Sequence, residues 1–346
     1  MKARPGWTVD PGDREEGVQV KAIVLTRYGL PDVFELSEVD NPVPADNEVL
    51  VEVRASSVTT HNFVLVTGKP FFVRLMGPGL LRPRTPIPGS DMAGRVAAVG
   101  GNAKQFKPGD DVFGDLSPCG FGALAEYACV PENVLALKPA NVTFEEAAAV
   151  PQAALVALQG LRDKGQIRKG QKVLIYGASG GIGTFAVQIA RYFGAEVTGV
   201  CSTRNLDMVR SIGADHVIDY TRGDFVRQGQ RYDLVFATAY RSVFDFQRVL
   251  SPTGIYVSTG SPSMSRVFQD MLLGPLISRT GGQKLVGGWA VLPNKDLVFM
   301  KELIEAGEVR PVIDRRYTFG EAAEAFRYFG KGHSRGKVII TVGRQS

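Results

Sequence analysis

Cysteine is scarce in this chain, 3 residues of 346, and so are histidine (3) and tryptophan (2). Cys119, Cys129 and Cys201 make an odd set with no Cys-x-x-Cys pair. That argues against a disulfide framework and makes a reducing, cytoplasmic setting the expectation. Long apolar runs are also missing, so no segment reads as membrane-spanning and no membrane partner is expected. The opening stretch, 1–19, carries Asp10, Asp13, Glu15 and Glu16 and has no hydrophobic centre. It reads as a disordered polar extension rather than a secretory signal, with the fold starting near Val20. Charge of one sign is nowhere concentrated. The 40 Lys+Arg and 35 Asp+Glu leave a net +5 scattered along the chain, so no nucleic-acid partner is expected.

Glycine, by contrast, is plentiful at 40 residues, and one cluster of it carries most of the information. The apolar run Lys172-Val-Leu-Ile-Tyr176 enters Gly177-Ala178-Ser179-Gly180-Gly181-Ile182-Gly183, and a helix-forming stretch from Thr184 to Tyr192 follows. A buried strand, a tight turn and a helix N-terminus together make a pyrophosphate cradle, because backbone N–H groups and the helix dipole face the anion. The pattern is Gly-x-Gly-x-x-Gly with Ala178 at the first glycine position. Further strands are expected at Glu196–Cys201, His216–Asp219, Asp233–Thr238 and Gly254–Ser258, with helical stretches at Asn205–Ile212 and Ser242–Leu250. That alternation implies a doubly wound parallel sheet. Thr238, Ser258 and Gly260 end strands where the ribose and nicotinamide of a dinucleotide would pass.

The residues after the second strand bear on which dinucleotide. NAD sites place a carboxylate there for the ribose 2′-hydroxyl. Here the strand runs into Ser202-Thr203-Arg204, two hydroxyls and a guanidinium, which suit a 2′-phosphate. NADPH is the expected cofactor. The alternative for Arg204 is a solvated residue opening the next helix.

Before this fold, short β-rich runs such as Glu48–Arg54 and Gly94–Gly100 alternate with Gly/Pro turns, suggesting a barrel-like β domain. The pieces Pro88-Gly-Ser-Asp-Met-Ala-Gly94, Pro108-Gly-Asp-Asp-Val112, Ala125-Glu-Tyr127 and the glycine turn occur in one order along the chain. In that order they resemble the medium-chain dehydrogenase/reductase superfamily, and the Gly177–Gly183 version is similar to its zinc-free quinone oxidoreductase and enone reductase branch. The resemblance implies an α/β protein in which a GroES-like β-barrel catalytic domain (20–146 and 290–346) accompanies a Rossmann NADPH-binding domain (147–289). It also implies that Ser334–Val342 is the closing strand, that Lys284–Ala290 is an edge strand pairing across a homodimer, and that Tyr220 lies near the adenosine 2′-phosphate. For Tyr220 the alternative is strand-end packing.

Zinc-dependent members carry Cys where this chain has Thr59, and the His of a Gly-His-Glu motif where it has Ser90 before Asp91. Hydroxyls are poor zinc ligands, the structural four-cysteine lobe is missing, and no metal is expected. Without a metal to polarise an alcohol, the expected substrate is a small hydrophobic quinone or α,β-unsaturated carbonyl. An alcohol or carbonyl dehydrogenase, or a non-enzymatic NADPH-binding protein, stands as the alternative. Thr59, His61 and Asn62 lie on the segment that borders the active site in the family, where each could donate to a substrate oxygen or cap a loop. Phe71, Phe72, Leu75, Met76 and Leu80 could wall a substrate pocket or form a small core under their loop. Cys119 reads as a packed small residue rather than a nucleophile.

Overall fold

Alternating β-branched runs broken by turn residues become strands along most of the chain. The computed structural model describes residues 18–29, 31–71, 74, 79–259, 282–287, 291 and 296–343. The polar extension up to residue 17, Phe72, Leu75, Met76 and Gly260 lie outside the described residues. In chain order the strands are β1 (Gln19–Leu25), β2 (Phe34–Asp40), β3 (Glu48–Val58), β4 (Asp91–Val99), β5 (Asp111–Asp115), β6 (Tyr127–Pro131), β7 (Leu135–Leu137), β8 (Lys172–Tyr176), β9 (Glu196–Cys201), β10 (His216–Asp219), β11 (Tyr232–Ala237), β12 (Leu250–Ser258), β13 (Lys284–Val286), β14 (Ile313–Thr318) and β15 (Lys337–Thr341). The chain divides into two units.

The first unit takes the described residues of Met1–Gln152, Pro293–Glu305 and Ile313–Ser346. Its main sheet runs β14-β15-β3-β4-β5-β7, with β6 also paired to β3. A separate antiparallel pair joins β1 to β2. All neighbours in the main sheet are antiparallel except β14 and β15. Val49, Val51 and Val53, spaced by two along β3, are almost fully buried, as one face of a half-buried strand should be. Each such side chain contributes about 1.5–3 kcal/mol through area removed from water. Helix Ala322–Gly330 closes this core with Phe326, whose ring meets Phe34 edge-on at 4.9 Å. This is the GroES-like β domain.

The second unit takes Ala153–Leu292, where described, and Ala306–Val312. The last segment is pinned by Gln188, whose side chain accepts from Arg310 N at 2.8 Å and donates to Arg310 O at 3.0 Å. Its six strands run β10-β9-β8-β11-β12-β13, every pair parallel. Numbered within the unit, that order is 3-2-1-4-5-6, the doubly wound dinucleotide fold, with its reversal between β8 and β11. Ligands of such sheets sit beyond the carboxyl ends at the reversal, which here are Tyr176 and Ala237. Val173, Leu174 and Ile175 have no exposed surface, as expected for a parallel strand covered on both faces.

Candidate functional site

The cradle starts where β8 ends. Gly177 turns the chain with φ of +86°, a conformation disfavoured for residues with a Cβ, and a Cβ there would lie 2.5 Å from Thr238 Oγ1. Thr238 Oγ1 donates toward the carbonyls of Tyr176 (3.1 Å) and Gly177 (3.2 Å), tying the ends of β8 and β11 together at the reversal. Helix Gly181–Tyr192 begins at once, with Gly180 as its N-cap. Gly183 is packed so tightly that a Cβ would stand 2.1 Å from Gly177 O. At Gly180 the surroundings are open, the nearest atom to a Cβ being Gly177 O at 3.5 Å. A crowded floor, an open lip and the first-turn N–H groups of a helix fit a pyrophosphate.

Ala178 departs from glycine, and β9 shows why the fold accepts it. Ala178 is fully buried, and a Cβ on Gly199 opposite would be 3.1 Å from the Ala178 Cβ. Gly199, having no side chain, leaves room for the Ala178 methyl group. Both Gly177 N and Ala178 N donate to Val200 O, which fixes the turn against β9.

Around the end of β9 the polar groups form two sets. Asn205 donates from Nδ2 to Ser179 Oγ at 3.0 Å and to Ser202 Oγ at 3.2 Å, linking the glycine turn to the residues after β9. Thr203 donates to Asp219 Oδ2, Thr221 donates to Asp219 Oδ1 at 2.7 Å, and the two threonine hydroxyls are 2.9 Å apart. The hydrogen bond from Thr203 is the main cause holding the Asp219 carboxyl below its usual pKa, against some desolvation. Arg204 is exposed beside them, and Tyr220, 51% exposed, is not packed into the strand end. Ser258 is buried at the end of β12, and Gly260 lies outside the described residues. Asn205, Asp219 and Thr221 escape a sequence reading that looks for the ribose group only at the end of the second strand. Parallel register sets Asp219 opposite Cys201, which is what brings the third strand's carboxylate to Thr203.

The first unit holds the second half of the predicted site. Thr59 is the N-cap of helix Thr60–Thr67: its Oγ1 accepts from Asn62 N at 3.2 Å, and it lies 3.3 Å from Ser90 Oγ. Asn62 is buried and donates from Nδ2 to Ser57 O at 3.2 Å, leaving Oδ1 buried without a hydrogen-bond partner. His61 alone of the three is exposed, and its Nδ1 lies 2.9 Å from Gln152 Nε2. Desolvation moves the imidazole below its ordinary pKa, with the Asp91 charge pulling the other way.

Behind them Asp91, fully buried, accepts from Ser57 Oγ at 2.8 Å, from Lys337 Nζ at 3.1 Å and from Gln152 N at 3.1 Å. Asp115, also buried, has its pKa raised to about 6 by desolvation first and by the Asp91 charge second. Among the described residues no three His, Cys, Asp or Glu side chains converge to hold a metal ion. The donors that stand in the zinc position, Thr59 and Ser90, are hydroxyls bonded to each other, and Asp91 already balances an ammonium. This set does not fit a catalytic zinc.

Residues 45–140 match the alcohol dehydrogenase GroES-like domain, and residues 212–340 match the zinc-binding dehydrogenase family. A 2-methylene-furan-3-one reductase of Solanum lycopersicum is 32% identical over 93% of this chain and 79% of its own length. This chain belongs to the medium-chain dehydrogenase/reductase superfamily. Within that superfamily of nicotinamide-dependent oxidoreductases its relatives include proteins named as quinone oxidoreductases and as an alkenal/one oxidoreductase. A chloroplast envelope quinone oxidoreductase homolog of Arabidopsis thaliana is 33% identical over 89% of this chain and 93% of its own length. The solved quinone oxidoreductase of Coxiella burnetii superposes with a TM-score of 0.83 at 27% identity, covering 94% of this chain and all of the other.

Phe71 and Leu80 are 61% and 49% exposed, so neither joins a core under the loop after Lys69. Cys119, Cys129 and Cys201 are free thiols. Burial pushes Cys119 up to about 12, and its Sγ lies 3.2 Å from Leu116 O, as for a packed thiol rather than a nucleophile.

Proposed function

We propose that this member of the superfamily is an NADPH-dependent reductase that passes hydride, without a metal, to a quinone or to the β-carbon of an α,β-unsaturated carbonyl. The observation that carries the cofactor preference is the pair of hydroxyls, Ser179 and Ser202, held beside exposed Arg204 where NAD sites present a carboxylate. The Asp219 carboxylate nearby already accepts from Thr203 and Thr221. When bound, the nicotinamide supplies the hydride. The protein's own part is to hold the acceptor, exclude water and offer a donor to the carbonyl oxygen on which charge develops.

His61 is the residue we assign to that oxygen, because Thr59 and Asn62 are engaged in holding the loop and helix. A neutral imidazole N–H serves there without the charge of a metal. The names of the relatives, a furanone reductase and a quinone oxidoreductase homolog, support both acceptor types. An alcohol dehydrogenase reading loses ground because the residues at the metal position do not fit one. A cytoplasmic homodimer, paired along the edge strand β13, belongs to the same proposal; a sedimenting mass of one chain would remove the dimer.

The test is oxidation of NADPH and of NADH with a panel of quinones, enones and aldehydes. Quinones or enones should be turned over with NADPH preferred, and Arg204→Ala should cut kcat/KM for NADPH roughly tenfold or more while leaving NADH within about twofold. Equal loss with both cofactors would contradict the phosphate role of Arg204. Absence of turnover alongside tight NADPH binding would favour a binding protein.

A further inference from the structure

Among the described residues of the nucleotide unit, Asn205 is one of few buried polar side chains, with 4% of its surface exposed. It ends the short turn after β9, and both of these side-chain contacts run to hydroxyls already assigned to the cofactor: Nδ2 to Ser179 Oγ at 3.0 Å and Nδ2 to Ser202 Oγ at 3.2 Å. Those serines come from different elements, the glycine turn and the end of β9. One amide with two hydrogens therefore spans them. Its Oδ1 is buried without a hydrogen-bond partner, so the orientation leaves a carbonyl oxygen unpaired rather than the amino group.

A hydroxyl has one hydrogen to give and lone pairs to receive with. When it receives from Asn205, its own O–H must point elsewhere. Ser179 and Ser202 thus both keep their own hydrogen to donate to another group. Phosphate oxygens only accept, whereas a ribose 2′-hydroxyl can either give or accept. Two hydroxyls set as donors suit both, but the charge on the phosphate strengthens each bond and so favours the monoester over the plain sugar. Thr203 is set the opposite way, its hydrogen given inward to Asp219.

We infer that Asn205 is a positioning residue for cofactor choice: by donating to Ser179 and Ser202 it turns both hydroxyls into donors for the 2′-phosphate of NADPH. The inference rests on the NADPH reading given above. Asn205 itself need not touch the cofactor; it acts through the two serines.

Binding rather than turnover is the direct readout, with 2′-AMP and 5′-AMP as probes displacing a fluorescent nucleotide. The unaltered protein should bind 2′-AMP more tightly. Asn205→Ala should weaken 2′-AMP about tenfold and 5′-AMP less than about twofold, since hydrogen bonds to charged groups are the stronger kind. In a Ser179→Ala/Ser202→Ala background the further change Asn205→Ala should have almost no effect on 2′-AMP. A purely structural role would instead lower thermal stability and both affinities together, and would remain additive with the serine changes.

Asn205→Gln, which keeps the amide, serves as the conservative control and should recover part of the preference. Loss by the same factor for both probes in Asn205→Ala, with preference intact in the unaltered protein, would overturn the inference alone. Equal affinity of the unaltered protein for the two probes would overturn the NADPH reading and this inference with it.

Discussion

Thr59, His61 and Asn62 are near neighbours in sequence, yet their surroundings divide the work among them. Thr59 caps a helix and Asn62 braces Ser57, while His61 reaches solvent on Gln152. Thr59→Ala should therefore act on stability, costing about 1 kcal/mol as N-cap losses do. His61→Ala should leave the melting temperature nearly unchanged and lower kcat roughly 10–100-fold on an enone. Thermal unfolding and steady-state kinetics on both variants check this; a large loss of melting temperature in His61→Ala would reassign it to structure. The sequence shows three hydrogen-bonding residues within four positions but not which of them is used up by the backbone.

Asp115 makes a prediction in pH. Its folded-state pKa, about 6, lies above the ordinary carboxylate value of 3.8. A raised folded pKa means that the folded protein prefers the protonated form, so stability is fullest below the ordinary value and is lost as pH rises through about 6. Asp115→Asn removes that loss. Relative to the parent, the variant's urea midpoint should rise between about pH 4 and pH 6 and then level off. A constant difference across that range would contradict the assignment.

At the scale of elements, the glycine turn was legible because each part is local: an apolar strand, a turn and a helix with its own apolar face. The α/β alternation after it was legible for the same reason. Less visible was the fit of Ala178 against Gly199, which depends on β8 and β9 lying side by side. The reach of Asp219 to Thr203 was likewise hidden, since it follows from register between β9 and β10. Gly183→Ala tests the turn. Its Cβ would stand 2.1 Å from Gly177 O, and backbone, not a flexible side chain, would have to move. We expect a destabilisation of about 1–3 kcal/mol and loss of nucleotide binding, measured by unfolding and by fluorescence titration. Retained affinity would mean that the turn does not hold the pyrophosphate.

For the whole molecule, pattern alone pointed to two domains but could not say which segments return to which. β15 pairs with β3 across nearly the full length of the chain, and residues 306–312 go to the nucleotide unit. Pairings so distant leave no periodic trace, and the expectation for the closing strand came from likeness to a family. The buried Asp91–Lys337 pair was equally illegible. It joins β4 to β15, and breaking such a pair from one side is costly, which explains why the region can keep its shape around an ammonium and hydroxyls.

NADPH-dependent reduction by this protein should need no metal. The measurement that bears on it most directly is the rate of NADPH-dependent reduction of a quinone or enone by protein treated with a strong chelator, with its metal content determined in parallel. The expected result is an unchanged rate at a metal content far below one per chain. Activity lost with the metal and restored by added zinc would contradict it.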